Sequence, residues 1–276
     1  MIRFNWKRNR GGSRKVEGTR VLDERKNLLT SHSDFFVREA YKTLRTNVSF
    51  SLTSEEKCKV IVVTSSQQGE GKSITAVNLA ISYAMTDRKV LIIDCDLRRP
   101  KLARLLGMRA PVGLSNLLMD PSLREEALCK TETTGLDVIL AGDIPPNPSE
   151  LLGSVRMQKL LSELKEEYDY IFLDSPPVNL VTDAVVLAPF TDGVLFLVRA
   201  NKAERGAVAY AVEQLEYAKV KILGFILNGV DEQTGNMSYG KYRYRRYSHY
   251  GYRSGYGYGY GYRQNSQAYE QEETDS

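Results

Sequence analysis

The chain has 276 residues, 42% of them hydrophobic and 26% charged, with a formal net charge of +4. This is enough for one domain of about 200 residues around a buried core, plus tails. No apolar run approaches the roughly 18–20 residues of a membrane-spanning helix, the N-terminus lacks a signal-peptide apolar stretch, and Cys58, Cys95 and Cys129 stand too far apart for a disulfide framework or a zinc site, which points to a reducing cytosol.

In chain order, residues 1–33 mix charge with Gly and Ser without any period and read as a basic flexible arm. Residues 1–20 carry seven Lys or Arg against Glu17 alone. With Phe4 and Trp6 among its cations, this arm either rests on an anionic membrane surface, at roughly 1 kcal/mol per basic residue, or stays solvated. From Asp34 onward, Phe35, Phe36, Val37, Ala40, Tyr41, Leu44 and Val48 recur at spacings that predict an amphipathic helix.

Short apolar runs then alternate with helix-length stretches. Val60–Thr64 has a buried-strand pattern, followed by a turn and a helix over Ser73–Thr86. Further strands are predicted at Val90–Ile93, Leu136–Leu140, Tyr170–Leu173, Gly193–Val198 and Ile222–Leu227. Uninterrupted apolar strands with helices between them specify an α/β fold: a mostly parallel sheet with helices on both faces. This body spans 34–236. After subtracting +6 for residues 1–20 and +2 for the segment from Met237, the rest of the chain carries −4.

Residues 237–276 hold eleven of the seventeen tyrosines: Tyr239, Tyr242, Tyr244, Tyr247, Tyr250, Tyr252, Tyr256, Tyr258, Tyr260, Tyr262 and Tyr269. Many are separated by single glycines. Glycine maximises the backbone entropy that folding must remove, and no apolar period compensates, so this tail is predicted to be disordered. Its hydroxyls read as an array of phosphate acceptors.

Ser66-Gln67-Gln68-Gly69-Glu70-Gly71-Lys72-Ser73 follows a predicted strand and opens a predicted helix, as a phosphate-binding loop does. Backbone N–H groups over Gln68, Gly69, Glu70 and Gly71 and the helix N-terminus offer an anionic cradle. Lys72 reaches the β and γ phosphates of a bound triphosphate, and the Ser73 hydroxyl binds Mg²⁺. Ser66 stands where such loops usually begin with glycine. Asp94 and Asp96 close one strand and Asp174 another, and ligands of parallel sheets sit at the carboxyl ends of strands. Asp174 suits a metal shell. Arg199 reads as a solvated strand-end charge in preference to a group near the nucleotide. Asn228 is either another strand-end residue or a contact to a nucleotide base.

These three segments resemble the Walker A, Walker A′ and Walker B motifs of the bacterial tyrosine kinases. Similar too are Leu97-Arg98-Arg99-Pro100, Gly113-Leu114-Ser115-Asn116-Leu117-Leu118, and the stretch from Ala141 to Leu152. The resemblance covers roughly residues 34–236, is followed by a tyrosine cluster as in that family, and is to the short cytoplasmic type with a separate membrane-spanning activator. Partition and septum-placing ATPases are nearest in fold. They carry a lysine just after the first loop position, and Gln67 stands there instead. The His-Arg-Asp and Asp-Phe-Gly motifs of eukaryotic-type kinases are absent.

The resemblance implies an ATP- and Mg²⁺-dependent kinase with Lys72, Asp94, Asp96 and Asp174 as catalytic residues. Asp94 is the first choice of base, with Asp96 assisting the metal or substituting; Ser73, Asp94 and Asp174 serve the metal. It also implies an octameric ring docked through Glu39, Lys42 and Arg45, where the family has Glu-x-x-Arg-x-x-Arg; Lys42 keeps the charge but loses arginine's fork. Tail tyrosines would be phosphorylated in trans, each phosphate adding about −1.5 to −2 charge and driving tails apart. Further implied partners are the transmembrane activator, a cognate tyrosine phosphatase and protein substrates. The implied location is the cytoplasm at the inner membrane face, and the implied process is capsular or exopolysaccharide polymerisation and export. A partition-type ATPase with a self-associating tail is the second reading. A nucleic-acid-binding tail is the third, opposed by the lack of Arg-Gly-Gly repeats and by the acids Glu270, Glu272, Glu273 and Asp275.

Overall fold

A computed structural model describes residues 2–3, 25–52 and 55–230. The tyrosine-rich segment and most of the arm lie outside the described residues. Among the described residues the strands are β1 (Ile2–Arg3), β2 (Lys59–Ser65), β3 (Val90–Asp94), β4 (Leu128–Lys130), β5 (Leu136–Ile139), β6 (Tyr170–Asp174), β7 (Gly193–Arg199) and β8 (Ile222–Asn228). They form one sheet in the order β1-β8-β7-β2-β6-β3-β5-β4, parallel except for the β4–β5 pair.

The principal helices are α1 (Phe35–Ser51), α2 (Lys72–Ala84), α3 (Leu102–Leu106), α4 (Leu114–Met119), α5 (Arg124–Ala127), α6 (Pro148–Leu152), α7 (Val155–Leu164), α8 (Asp183–Leu187) and α9 (Arg205–Tyr217). Each predicted strand is present, within about a residue of its expected bounds. The helix predicted from Asp34 is α1, and the Asp34 carboxylate caps it by accepting the Phe36 N–H at 2.8 Å.

Alternation along the strands explains why the runs are wholly apolar. Val60, Val62, Leu91, Ile93, Ile171, Leu173, Val194 and Phe196 face a core built with α4, α7, α8 and α9. Ile61, Val63, Val90, Ile92, Phe172, Leu195 and Leu197 face a second core built with α1, α2 and α3. With both faces covered, a polar residue has no solvated side to occupy. Burying each such side chain contributes roughly 1.5–3 kcal/mol.

Two features differ from expectation. The arm does not run unstructured to residue 33: Ile2–Arg3 pairs in parallel with β8, and Leu29 is buried in the α1/α2 core. The Leu29 N–H donates to the Oδ1 of buried Asn78 at 2.7 Å, so its backbone is satisfied inside. The edge strand β4 has three residues, too short for any period to register.

Candidate active site

Strand register places the acids. β6 lies between β2 and β3, with Asp174 opposite both Val63 and Asp94. In-register residues of parallel strands point to the same face, and here that face carries α2. The phosphate loop joins β2 to α2, so Lys72, the first residue of α2, meets the two carboxyl strand ends. Its Nζ lies 3.2 Å from Asp96 Oδ2, 3.2 Å from Asp174 Oδ1 and 3.4 Å from Ser73 Oγ. All these residues are buried.

Each carboxylate is held differently. Asp94 Oδ1 accepts the Asp96 N–H at 3.2 Å, and Oδ2 accepts those of Lys101 and Leu102 at 3.0 and 2.9 Å. Asp94 thus ties down the β3–α3 loop. Asp96 accepts the Arg99 N–H at 3.1 Å and Lys72 on its other oxygen. Asp174 Oδ2 is buried and has no hydrogen-bond partner among the described residues.

Three acids around one ammonium cannot all hold charge cheaply out of water. Burial, reinforced by Asp174, pushes the Asp94 carboxyl up to about 7, against the pull of the Leu102 N–H, Lys72 and the Lys101 N–H. Lys72 moves above its ordinary value: burial opposes its charge, but Asp174, Asp96 and Asp94 together outweigh it. Between the acids, burial and then Asp94 hold the Cys95 thiol well above its usual range, an inert thiol.

The loop itself is shaped by side chains behind it. Glu70 is buried and turned back on the loop: it accepts the Ser66 N–H at 3.0 Å, the Ser66 hydroxyl at 2.9 Å and the Gln67 N–H at 3.4 Å. Lys202 donates to the Gln68 carbonyl at 2.6 Å, Arg199 to the Gly69 carbonyl at 2.8 Å and Asn228 to the Glu70 carbonyl at 2.8 Å. In a trans peptide unit C=O and N–H point in opposite directions. Holding these three carbonyls from outside therefore turns the N–H groups of Gly69, Glu70 and Gly71 the other way, into the cradle. Gly69 and Gly71 have φ of +76° and +101°, and a Cβ there would run into the Lys202 ammonium and the Asn228 amide respectively.

Lys72, Ser73, Asp94, Asp96 and Asp174 therefore come together, with the backbone of Gln68 to Gly71 beside them. Arg199 and Asn228, paired at neighbouring strand ends, both donate to carbonyls of the phosphate loop, Arg199 through a solvent-exposed contact. Sequence reasoning gave no place to Lys202, nor to a brace in which Arg98 Nε lies 3.2 Å from Asp183 Oδ2 and Arg98 Nη2 donates to Ser149 Oγ at 3.0 Å. Lys202 had no local signal, whereas Arg98 and Ser149 lay within the segments quoted above. Glu39 and Lys42 pair at 2.7 Å on α1, while Arg45 turns inward to the Ser82 carbonyl and, at 3.2 Å, its hydroxyl. The eleven tail tyrosines lie outside the described residues.

The donor set fits a divalent cation carried in with a nucleotide. Among the described residues no cluster of three or more His, Cys, Asp or Glu forms a ready-made cage. A cation of that kind uses one or two carboxylates plus phosphate oxygens and waters, and Asp174 Oδ2 with Ser73 Oγ could supply the protein's share.

Fold and site together define a P-loop nucleoside-triphosphate-binding protein. The family described as an AAA domain matches residues 58–215. Tyrosine-protein kinase YwqD of Bacillus subtilis (strain 168) is 39% identical over 204 residues, covering 74% of this chain and 85% of that protein. The solved BceF tyrosine kinase domain is 40% identical with a TM-score of 0.64, over 70% of this chain and 78% of that one. The septum site-determining protein MinD of Pyrococcus horikoshii, solved with Mg-ADP, is 24% identical with a TM-score of 0.53, over 62% and 70% of the chains, and shares the fold. The chain belongs to the bacterial tyrosine kinases.

The Asp94 carboxyl makes folding stability depend on pH. In the folded chain it keeps its proton to about pH 7, but in the unfolded chain only to the ordinary carboxylate range near 4. Its contribution is full below that range and is lost as pH rises toward 7. Thermal melts of the nucleotide-free protein from pH 5 to 8 should show wild type losing roughly 5 °C more than Asp94→Asn. Parallel losses would contradict the shifted carboxyl.

Proposed function

We propose that this kinase transfers the γ-phosphoryl group of ATP to tyrosines of its own C-terminal segment, presented in trans by a neighbouring copy, and so regulates capsular or exopolysaccharide polymerisation and export. The observation that carries the reading is the juxtaposition of Lys72 with Asp96, Asp174 and Asp94 beside the phosphate loop, in a chain with eleven tyrosines after residue 236. Residues 34–236 act as the kinase domain, 237–276 as the acceptor segment, and 1–33 as a basic arm.

Lys72 exchanges its carboxylate partners for the β and γ phosphates, and the loop N–H groups bind the remaining oxygens. Ser73 Oγ and Asp174 Oδ2 would hold Mg²⁺, which would neutralise phosphate charge there. Both Asp94 oxygens already accept backbone N–H groups, so Asp94 suits proton transfer better than the metal shell. The acceptor tyrosine's oxygen forms a bond to the γ-phosphorus as the bond to the β-γ bridging oxygen breaks. Its proton passes to Asp94, and ADP leaves. A phenol titrates near 10, and a base near 7 is placed to take that proton as the bond forms. Asp96, released as Lys72 turns to the phosphates, assists the metal or substitutes for Asp94 as base.

Glu39, Lys42 and Arg45 on α1 form the proposed ring contact, with an octamer implied by family resemblance. Glu39 and Lys42 present a paired charge there, and Arg45 fixes α1 on α2 through Ser82. A separate transmembrane activator, a tyrosine phosphatase and other protein substrates complete the reading, with the kinase at the inner membrane face. Among the described residues no helix is long and apolar enough to cross a membrane.

Asp94→Asn should bind MgATP within about threefold of wild type yet lose on the order of 100-fold or more in tyrosine phosphorylation. The wild-type rate at limiting acceptor should rise with pH through about 7, because the base must first lose its proton. Undiminished phosphotyrosine in Asp94→Asn would remove Asp94 from the role. In light scattering, Glu39→Ala should lower the solution mass of the assembly; a monomeric wild type, or an equal mass in both, would refute the ring contact.

A further inference from the structure

Three cations collar the crest of the phosphate loop. Arg99, from the loop after β3, donates to Gln68 Oε1 at 3.0 Å. Lys202, from the loop after β7, donates to the Gln68 carbonyl, and Arg199, at the end of β7, to the Gly69 carbonyl. All three contacts are solvent-exposed, and each acceptor is a neutral amide oxygen, so these bonds leave the positive charges uncompensated. The carbonyls that Arg199 and Lys202 grip point away from the N–H cradle, so these two cations lie on the outer side of the loop, apart from the phosphate-facing N–H groups. Inside, Asp94, Asp96 and Asp174 surround Lys72. The interior is acidic and the rim basic.

The eleven tail tyrosines are not equivalent in charge. Tyr239 to Tyr262 are interleaved with glycines and with Lys241, Arg243, Arg245, Arg246 and Arg253, and no acid occurs among them. Tyr269 alone is followed by acids: Glu270, Glu272, Glu273 and Asp275. A basic rim repels the first group and attracts the second. Exposed pairs are weak singly, but several acting together steer encounter and fix register.

We propose that the collar of Arg99, Arg199 and Lys202 is a docking surface for a carboxylate-rich peptide. On a second copy of this chain it engages the acids after Tyr269 and makes Tyr269 the preferred first acceptor. This rests on the tail-phosphorylating reading above. The chemistry is unchanged: the collar sets which hydroxyl arrives, through KM, while Lys72 and the carboxylates act on it. Once Tyr269 carries a phosphate, about −1.5 to −2 charges are added beside the basic stretch, and the tail engages the rim more strongly for the next acceptor.

The test uses the full chain with MgATP and two peptides of residues 264–276, one native and one with Glu270, Glu272 and Glu273 changed to Gln and Asp275 to Asn. The native peptide should have a KM about five- to tenfold lower at low salt with a similar kcat, and the gap should close at about 0.5 M salt. In Arg99→Gln/Lys202→Gln the ratio between the peptides should fall toward one. A purely structural role for these side chains would slow both peptides alike and leave the ratio intact. In parallel, early time points on the full chain should show phosphate at Tyr269 before Tyr239 to Tyr262. Equal KM values, a ratio unchanged in the double variant, or Tyr269 lagging would each overturn the docking surface while leaving the kinase reading standing. Absence of phosphotyrosine from both peptides and from the tail would sink the tail-phosphorylating reading, and this inference with it.

Discussion

A buried ammonium held between carboxylates on two neighbouring strand ends is the interaction on which this structure depends. Lys72 sits 3.2 Å from both Asp96 and Asp174, all three out of solvent, with Asp94 in register beside Asp174. Removing one partner of such an assembly leaves uncompensated buried charge, which is strongly destabilising. The same geometry makes the site responsive to polyphosphate. A triphosphate competes with Asp96 and Asp174 for one cation, exchanging one set of anions for another. Part of the residual negative charge is relieved by Asp94, which holds its proton to about pH 7 because of burial and Asp174.

The sheet makes that assembly possible and largely announced itself in the sequence. Runs such as Val60–Val63 and Leu91–Ile93 are apolar at every position because α1, α2 and α3 cover one face and α4, α7, α8 and α9 the other. The same runs end in polar residues where the strands leave the core, so the strand-end acids and the glycine loop were legible too. Register was not. That Asp94 and Asp174 lie side by side follows from β6 inserting between β2 and β3, a long-range pairing that no local pattern encodes.

What the sequence concealed has a common physical character. Lys202, Arg199 and Asn228 meet the phosphate loop across 130 or more residues of chain, each through a backbone carbonyl that any residue type carries. Nothing in Asn228 itself distinguishes a base contact from a loop brace. Arg45 likewise shares a spacing with Glu39 and Lys42, yet its long side chain reaches Ser82 on α2. Short elements escaped because periodicity needs length: β4 has three residues and β1 two. The braces also explain why the loop tolerates Ser66 in place of a first glycine. Ser66 is held by Glu70 through both its N–H and its hydroxyl, and the left-handed positions fall on Gly69 and Gly71.

The central claim is that Lys72 and the three acids transfer phosphate to tyrosine rather than merely hydrolyse a nucleotide. Its most direct test is incubation of the full chain with ATP and Mg²⁺, followed by mass-spectrometric mapping of phosphotyrosine, with Lys72→Met alongside. Phosphate confined to Tyr239 through Tyr269 in wild type and absent from Lys72→Met is the predicted result. ATP consumed with no phosphotyrosine formed, or tyrosine phosphate persisting in Lys72→Met, would contradict it.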